Sequence, residues 1–249
     1  MSTDALARRK KLGVIGPSTN TVVQPDYDDL RPAGVTNHYS RIIVSDAQAI
    51  SDETFMAGTL EIDQNTMDAV RGVMTARPDY LVMGMSAVTF YGGRSGAAAW
   101  RAKVEDACGL GVSVGSEALV AALQAYGGIR RVGLISPYYP VANAEVAKFL
   151  ADHDIEVVRD KPLRCPSWTS IAEVMPDQVR DAFCEVDGDD VDALIQVGTN
   201  LSAMRVAAAG ELWLGKPVVA INTATYWHAL RAVGIVDPIH GFGQLLERF

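Results

Sequence analysis

The chain has 249 residues, 22 basic and 30 acidic, with 49% hydrophobic and 7% aromatic side chains and a net charge of −8. That length holds one large α/β domain or two linked lobes, and the acidic balance argues against broad binding of nucleic acid or anionic membranes. No apolar stretch approaches the roughly 18 residues that a membrane span needs. The polar start is unlike a signal peptide. The three cysteines, Cys108, Cys165 and Cys184, form no Cys-x-x-Cys pair. Neither a disulfide framework nor a metal site is therefore expected, and a cytoplasmic setting is the simplest.

Short runs rich in Val, Ile and Leu alternate with amphipathic stretches along the chain. The pattern predicts strands at Lys11–Gly16, Val35–Val44, Tyr80–Gly84, Val112–Gly115, Arg131–Ser136, Ile155–Arg159, Ala193–Gly198 and Val218–Asn222. Helices are predicted at Ser51–Ala76, Gly96–Cys108, Ser116–Tyr126, Val141–His153, Ile171–Val186, Leu201–Leu214 and Thr223–Val233. Strands that are apolar throughout and alternate with helices indicate a mainly parallel α/β architecture. Arg159–Ser170 reads as a loop holding two prolines.

The sequence also repeats itself. Lys10–Ser18 aligns with Arg130–Tyr138, Leu81–Gly84 with Ile195–Gly198, and Val112–Gly127 with Val219–Gly234. Three matches in one order fit a duplicated α/β unit, at a period too long for a solenoid. The expected fold is α/β: two pseudo-symmetric Rossmann-like lobes with parallel sheets and an active-site cleft between them. Residues 1–115 with 217–249 would form the first lobe and 116–216 the second. Ligands of parallel sheets sit beyond the strand C-termini. The cleft would then be lined by Pro17–Asn20, Gly84–Ser86, Gly115–Ser116, Pro137–Tyr139, Gly198–Asn200 and Asn222–Thr223. Small hydroxyls, amides and helix N-termini there suit a carboxylate.

Several of these segments carry a family likeness. Gly16-Pro-Ser-Thr-Asn-Thr21 and His38-Tyr-Ser-Arg41 resemble motifs of maleate cis-trans isomerases. Met83-Gly-Met-Ser86 followed by Phe90-Tyr-Gly-Gly93 resembles the corresponding region of arylmalonate decarboxylases. Ser136–Tyr138 through Asn143, Gly198–Asn200, Lys216–Val219 and Gly241–Leu245 fit both groups. The chain is thus identified as a member of the aspartate/glutamate racemase superfamily, in its maleate isomerase and arylmalonate decarboxylase branch.

The resemblance implies catalysis without metal or cofactor. One substrate carboxylate would lie among hydroxyls and backbone amides that stabilise an enediolate, while cysteines act as acid, base or nucleophile. Maleate-type isomerases carry two such cysteines; arylmalonate decarboxylases carry one, in the second half, with glycine in the first. The corresponding residues here are Gly84 and Gly198, so the family's proton chemistry does not transfer directly.

The residues expected to bind substrate are Ser18, Thr19, Asn20, Gly84, Met85, Ser86, Tyr138, Gly198, Thr199 and Asn200, with Tyr138 and Ser86 as the catalytic candidates. Turn and cap chemistry is the alternative reading of the hydroxyl and amide residues among them. Gly92-Gly-Arg-Ser-Gly96 lacks P-loop spacing and reads as a glycine-rich helix entry. The expected activity is a decarboxylase-like lyase on a small mono- or dicarboxylate. A maleate-type isomerase and a non-catalytic carboxylate-binding relative are the alternatives, and a homo-oligomer is left open.

Overall fold

The computed structural model describes residues 4–46 and 51–249. Its first half runs β1 (Lys10–Pro17), α1 (Val23–Asp29), β2 (Val35–Ile42), α2 (Asp52–Met74), β3 (Tyr80–Met83), α3 (Gly93–Cys108), β4 (Val112–Ser113) and α4 (Gly115–Tyr126). The second half runs β5 (Arg131–Ser136), α5 (Pro140–Ala151), β6 (Glu156–Pro162), α6 (Pro176–Val186), β7 (Ala193–Gln196), α7 (Met204–Leu214), β8 (Val218–Ala220), α8 (Ile221–Ala232) and α9 (Gln244–Arg248). Among the described residues the strands form two four-stranded sheets, ordered β2-β1-β3-β4 and β6-β5-β7-β8, with every pairing parallel. The two orders are the same order repeated. The chain is therefore an α/β protein of two like halves, as the internal repeat predicts.

Helices cover both faces of each sheet, and the central strands are apolar throughout for that reason. Leu12, Val14 and Ile15 of β1, Leu81–Met83 of β3, and Leu134, Ile135, Leu194 and Ile195 of the second sheet are all fully buried. Val218–Ala220, expected with the first lobe, hydrogen-bonds to β7 in the second sheet. The helix that follows crosses back: α8 packs on β3, β4 and α4, and so ties the halves together.

The ladders shift the expected alignment of the repeat by one residue. The amide of Asp79 donates to Lys11 O and that of Gly84 to Ile15 O; in the second sheet Asp192 donates to Arg131 O and Val197 to Ile135 O. The partner of Gly84 is therefore Val197, and Gly198 corresponds to Met85. The two glycines matched in sequence for different physical reasons. A Cβ on Gly84 would press on Val23 and the Ile15 carbonyl, whereas Gly198 has a φ of +97°. Only the second needs glycine for its backbone conformation.

Some elements differ from the periodicity. Helix α1 was not predicted, because Pro25 hides it; proline is tolerated there since it lies in the first turn, where its missing N–H costs nothing. The predicted Ile171–Val186 helix is a 3-10 turn at Ser170–Glu173 and then α6, which starts afresh at Pro176. Strand β6 extends through Pro162, into the segment read as loop.

Candidate active site

The C-terminal ends of both sheets face one small cavity. Its polar side is made by Thr19, Asn20, Tyr138, Gly198, Thr199 and Asn200, and its apolar side by Ile62, Met85, Ala87, Trp168 and Ile171. Seven of the ten residues expected at the site thus line it. The other three stand behind the wall. Ser18 is exposed and exchanges hydrogen bonds with the Val44 backbone. Gly84 presents its carbonyl to Thr199, and Ser86 is fully buried beneath Tyr138.

The polar residues are fixed by bonds across the two halves. After β1 ends at Pro17, the Asn20 carboxamide oxygen accepts from the amides of Val22 (3.0 Å) and Val23 (2.9 Å), which starts α1. Its Nδ2 donates to Thr199 Oγ1 (3.1 Å), and that hydroxyl donates to Gly84 O (3.0 Å). Asn200 Oδ1 accepts from the Thr21 amide (2.9 Å), while its Nδ2 donates to Trp168 O (2.8 Å). Arg41 holds the same turn from outside, donating to Asn20 O (2.8 Å) and Gln24 Oε1 (2.9 Å).

Much of the donor capacity is spent, and the remainder can be counted. Each carboxamide NH₂ has two N–H groups and uses one. Among the described residues nothing accepts from the backbone N–H of Thr19, Met85, Thr199 or Asn200. Together with the Tyr138 hydroxyl these are neutral donors around a cavity without a lining charge, an arrangement suited to an oxyanion.

Tyr138 is held from two sides. Its hydroxyl lies 3.0 Å from Ser86 Oγ, which also accepts from the Gly198 amide at 3.2 Å. With Ser86 as donor to the phenol oxygen, the phenol proton is left for the cavity. Burial pushes the Tyr138 pKa well above that of a free phenol, so the group stays protonated through the neutral range. Its ring packs on Phe55 (centroids 5.1 Å apart), and Phe55 packs on Trp168 (5.2 Å). Helix α2 approaches Trp168 this closely because Gly58 has no side chain: a Cβ there would lie 2.7 Å from Trp168 Cζ2.

Sequence reasoning missed this apolar wall. Ile62 comes from α2 and Trp168 with Ile171 from the segment after β6, none of them at a strand end. The apolar periodicity of α2 predicted burial but not against what.

None of the three cysteines lines the cavity. Cys108 ends α3, and Cys184 is exposed on α6. Cys165 is buried beside the site, its amide donating to Pro137 O, and burial pushes its thiol up to about 11. It is a thiol rather than a thiolate at neutral pH. The glycine-rich entry to α3 is already occupied by the protein's own carboxylates, Glu145 accepting from the Gly92 amide and Asp152 from that of Arg94. Among the described residues no group of three or more His, Cys, Asp or Glu is placed to hold a metal. No helix among them is long and apolar enough to cross a membrane.

Two like parallel α/β halves meeting over a pocket of neutral donors define a two-lobed α/β protein of the racemase-superfamily type. The sequence model of the arylmalonate decarboxylase family matches residues 47–246, and the chain belongs to that family, in the maleate isomerase and arylmalonate decarboxylase branch of the Asp/Glu racemase superfamily. It is 30% identical to an arylmalonate decarboxylase of Bordetella bronchiseptica over 171 residues, 67% of this chain and 70% of that one. It is 23% identical to a maleate isomerase of Pseudomonas putida over 95% of this chain and 97% of the relative. The fold matches a maleate cis-trans isomerase of Nocardia farcinica, solved with a covalently bound succinylcysteine intermediate. The TM-score is 0.86 at 22% identity, covering 96% of this chain and 99% of that one. Both named activities are enzymatic, and the chain is an enzyme of the lyase or isomerase class.

Proposed function

We propose that the chain is a decarboxylase-like lyase that acts on a small α-substituted malonate-type acid without a catalytic thiol. The observation that carries this reading is the two-sided pocket: neutral donors on one wall, Ile62, Trp168 and Ile171 on the other, and no sulfhydryl between them. One carboxylate accepts from the free N–H groups of Thr199 and Asn200 and from the carboxamides of Asn20 and Asn200. The second faces the apolar wall, where its charge is poorly solvated and its loss as neutral CO₂ is favoured.

The C–C bonding pair passes to the α carbon and is delocalised onto the bound carboxylate as an enediolate. Donors already in place stabilise that charge, at about 3–4 kcal/mol for a well-placed one. The phenol of Tyr138, protonated at neutral pH and backed by Ser86, gives its proton to the α carbon and regains one from solvent after product release. A phenol pushed further up by burial is a weak acid, yet an enediolate is the stronger base. Covalent isomerisation of maleate, by contrast, calls for a thiol in the cavity. At Gly84, Val197 and Gly198 there is none.

Proton NMR with substituted malonates, maleate, and hydroxy- and amino-dicarboxylates tests the assignment. A shortened monocarboxylate from a malonate is expected. Fumarate from maleate would establish the isomerase reading instead, and thermal stabilisation without turnover would mark a non-catalytic binder.

A further inference from the structure

We propose that Asp26 is a positioning residue for the pocket, acting through Asn222 on the Thr199–Asn200 wall. Asp26 lies on α1 and Asn222 at the start of α8, and neither lines the cavity. Asn222 is 2% exposed, and its Nδ2 donates both to Asp26 Oδ2 (2.8 Å) and to Thr199 O (2.9 Å). A peptide carbonyl only accepts, so the second bond fixes which end of the carboxamide is nitrogen. Both N–H groups are then used, while Asn222 Oδ1 is buried with no hydrogen-bond partner among the described residues.

An orphaned buried acceptor beside a carboxyl group has one economical solution. A neutral Asp26 donates its O–H to Asn222 Oδ1 while still accepting from Nδ2, which closes an acid–amide pair. An ionised Asp26 has no proton to offer and leaves Oδ1 unsatisfied. Burial and the nearby Asp29 of α1 raise Asp26 to about 6, against the opposing influence of Asn222 and Arg205 of α7. Tyr27 adjoins it, and Asp177 and Arg180 of α6 line the same outer groove of about 440 Å³, through which solvent protons reach the carboxyl. Protonation on that outer side is transmitted by Asn222 to the backbone of the pocket wall. Ionisation also brings negative charge towards a carboxylate site, so anion affinity falls as pH rises through 6.

This proposal rests on the pocket assignment, but its test uses no ligand. In the ¹³C,¹⁵N-labelled full chain, the Asp26 carboxyl carbon and the amides of Thr199 and Asn200 are followed by NMR from pH 4.5 to 8. A common midpoint near 6 is expected. Asp26→Asn, which mimics the neutral acid, should hold both amides near their low-pH positions. Asn222→Ala should leave Asp26 titrating while the amides no longer follow. Amides that stay flat in the wild type, or that still titrate in Asp26→Asn, overturn the proposal. The wild-type titration needs no variant to fold. A negative result there leaves the lyase reading intact, and a failed lyase assay leaves this coupling intact.

Discussion

Restoring a cysteine to the second half should be far more damaging than restoring one to the first. At Gly198 the backbone has a φ of +97°, and a Cβ would stand 2.4 Å from Pro137 Cδ and 2.5 Å from its Cγ. An L residue held in that region costs about 1–3 kcal/mol, and forcing a side chain into a filled site about 1–3 more. The proline ring cannot swing aside, because it is closed onto its own backbone nitrogen. Gly198→Cys should therefore lose about 2–6 kcal/mol. Gly84 needs no left-handed backbone, and its added Cβ meets a Val23 methyl at 2.8 Å and Ile15 O at 3.2 Å. Only the packing cost applies there, about 1–3 kcal/mol. Urea denaturation of the two variants beside the wild type measures both numbers. A Gly198→Cys protein within about 0.5 kcal/mol of wild type, or one more stable than Gly84→Cys, would refute the reasoning.

Three further outcomes follow from the same geometry. Tyr138→Phe should keep the fold, losing about 1 kcal/mol from the hydroxyl's bonds, yet lower kcat by about 100-fold or more if the phenol is the proton source; steady-state kinetics with the best malonate checks it. Trp168→Ala should cost about 3–5 kcal/mol by chemical denaturation and raise KM for substrates with bulky apolar substituents, since it removes that wall. Asp26, raised from 3.8 to about 6, binds its proton more tightly when folded, so its contribution to stability is greatest in acid and falls as pH rises from about 4 to 6. The shift corresponds to about 3 kcal/mol. Asp26→Asn should thus be more stable than wild type at pH 8, with the gap closing below pH 4, as urea titrations at the two pH values would show.

Strand ends were readable because their chemistry is local. Pro17, Asn20 and Thr199 sit where an apolar run meets a turn, and the repeat showed which turns converge. The apolar wall was not readable, since Phe55, Ile62 and Trp168 meet only through packing between segments more than 100 residues apart. Gly84 and Gly198 illustrate a subtler limit. Both end a strand with the same letter, and the ladders alone reveal that they occupy successive rather than equivalent positions. In sequence Asn222 reads as the end of a strand lining the cleft. Its two bonds show that it braces the pocket from behind.

The central claim is carboxylate chemistry in this pocket without a thiol. Its most direct test is turnover of an α-substituted malonate in D₂O by a variant in which Cys108, Cys165 and Cys184 are all replaced by serine. The predicted result is a monocarboxylate carrying one deuteron at the α carbon, formed at a rate close to that of the wild type. Abolished turnover in a variant that still folds and binds the acid would contradict it.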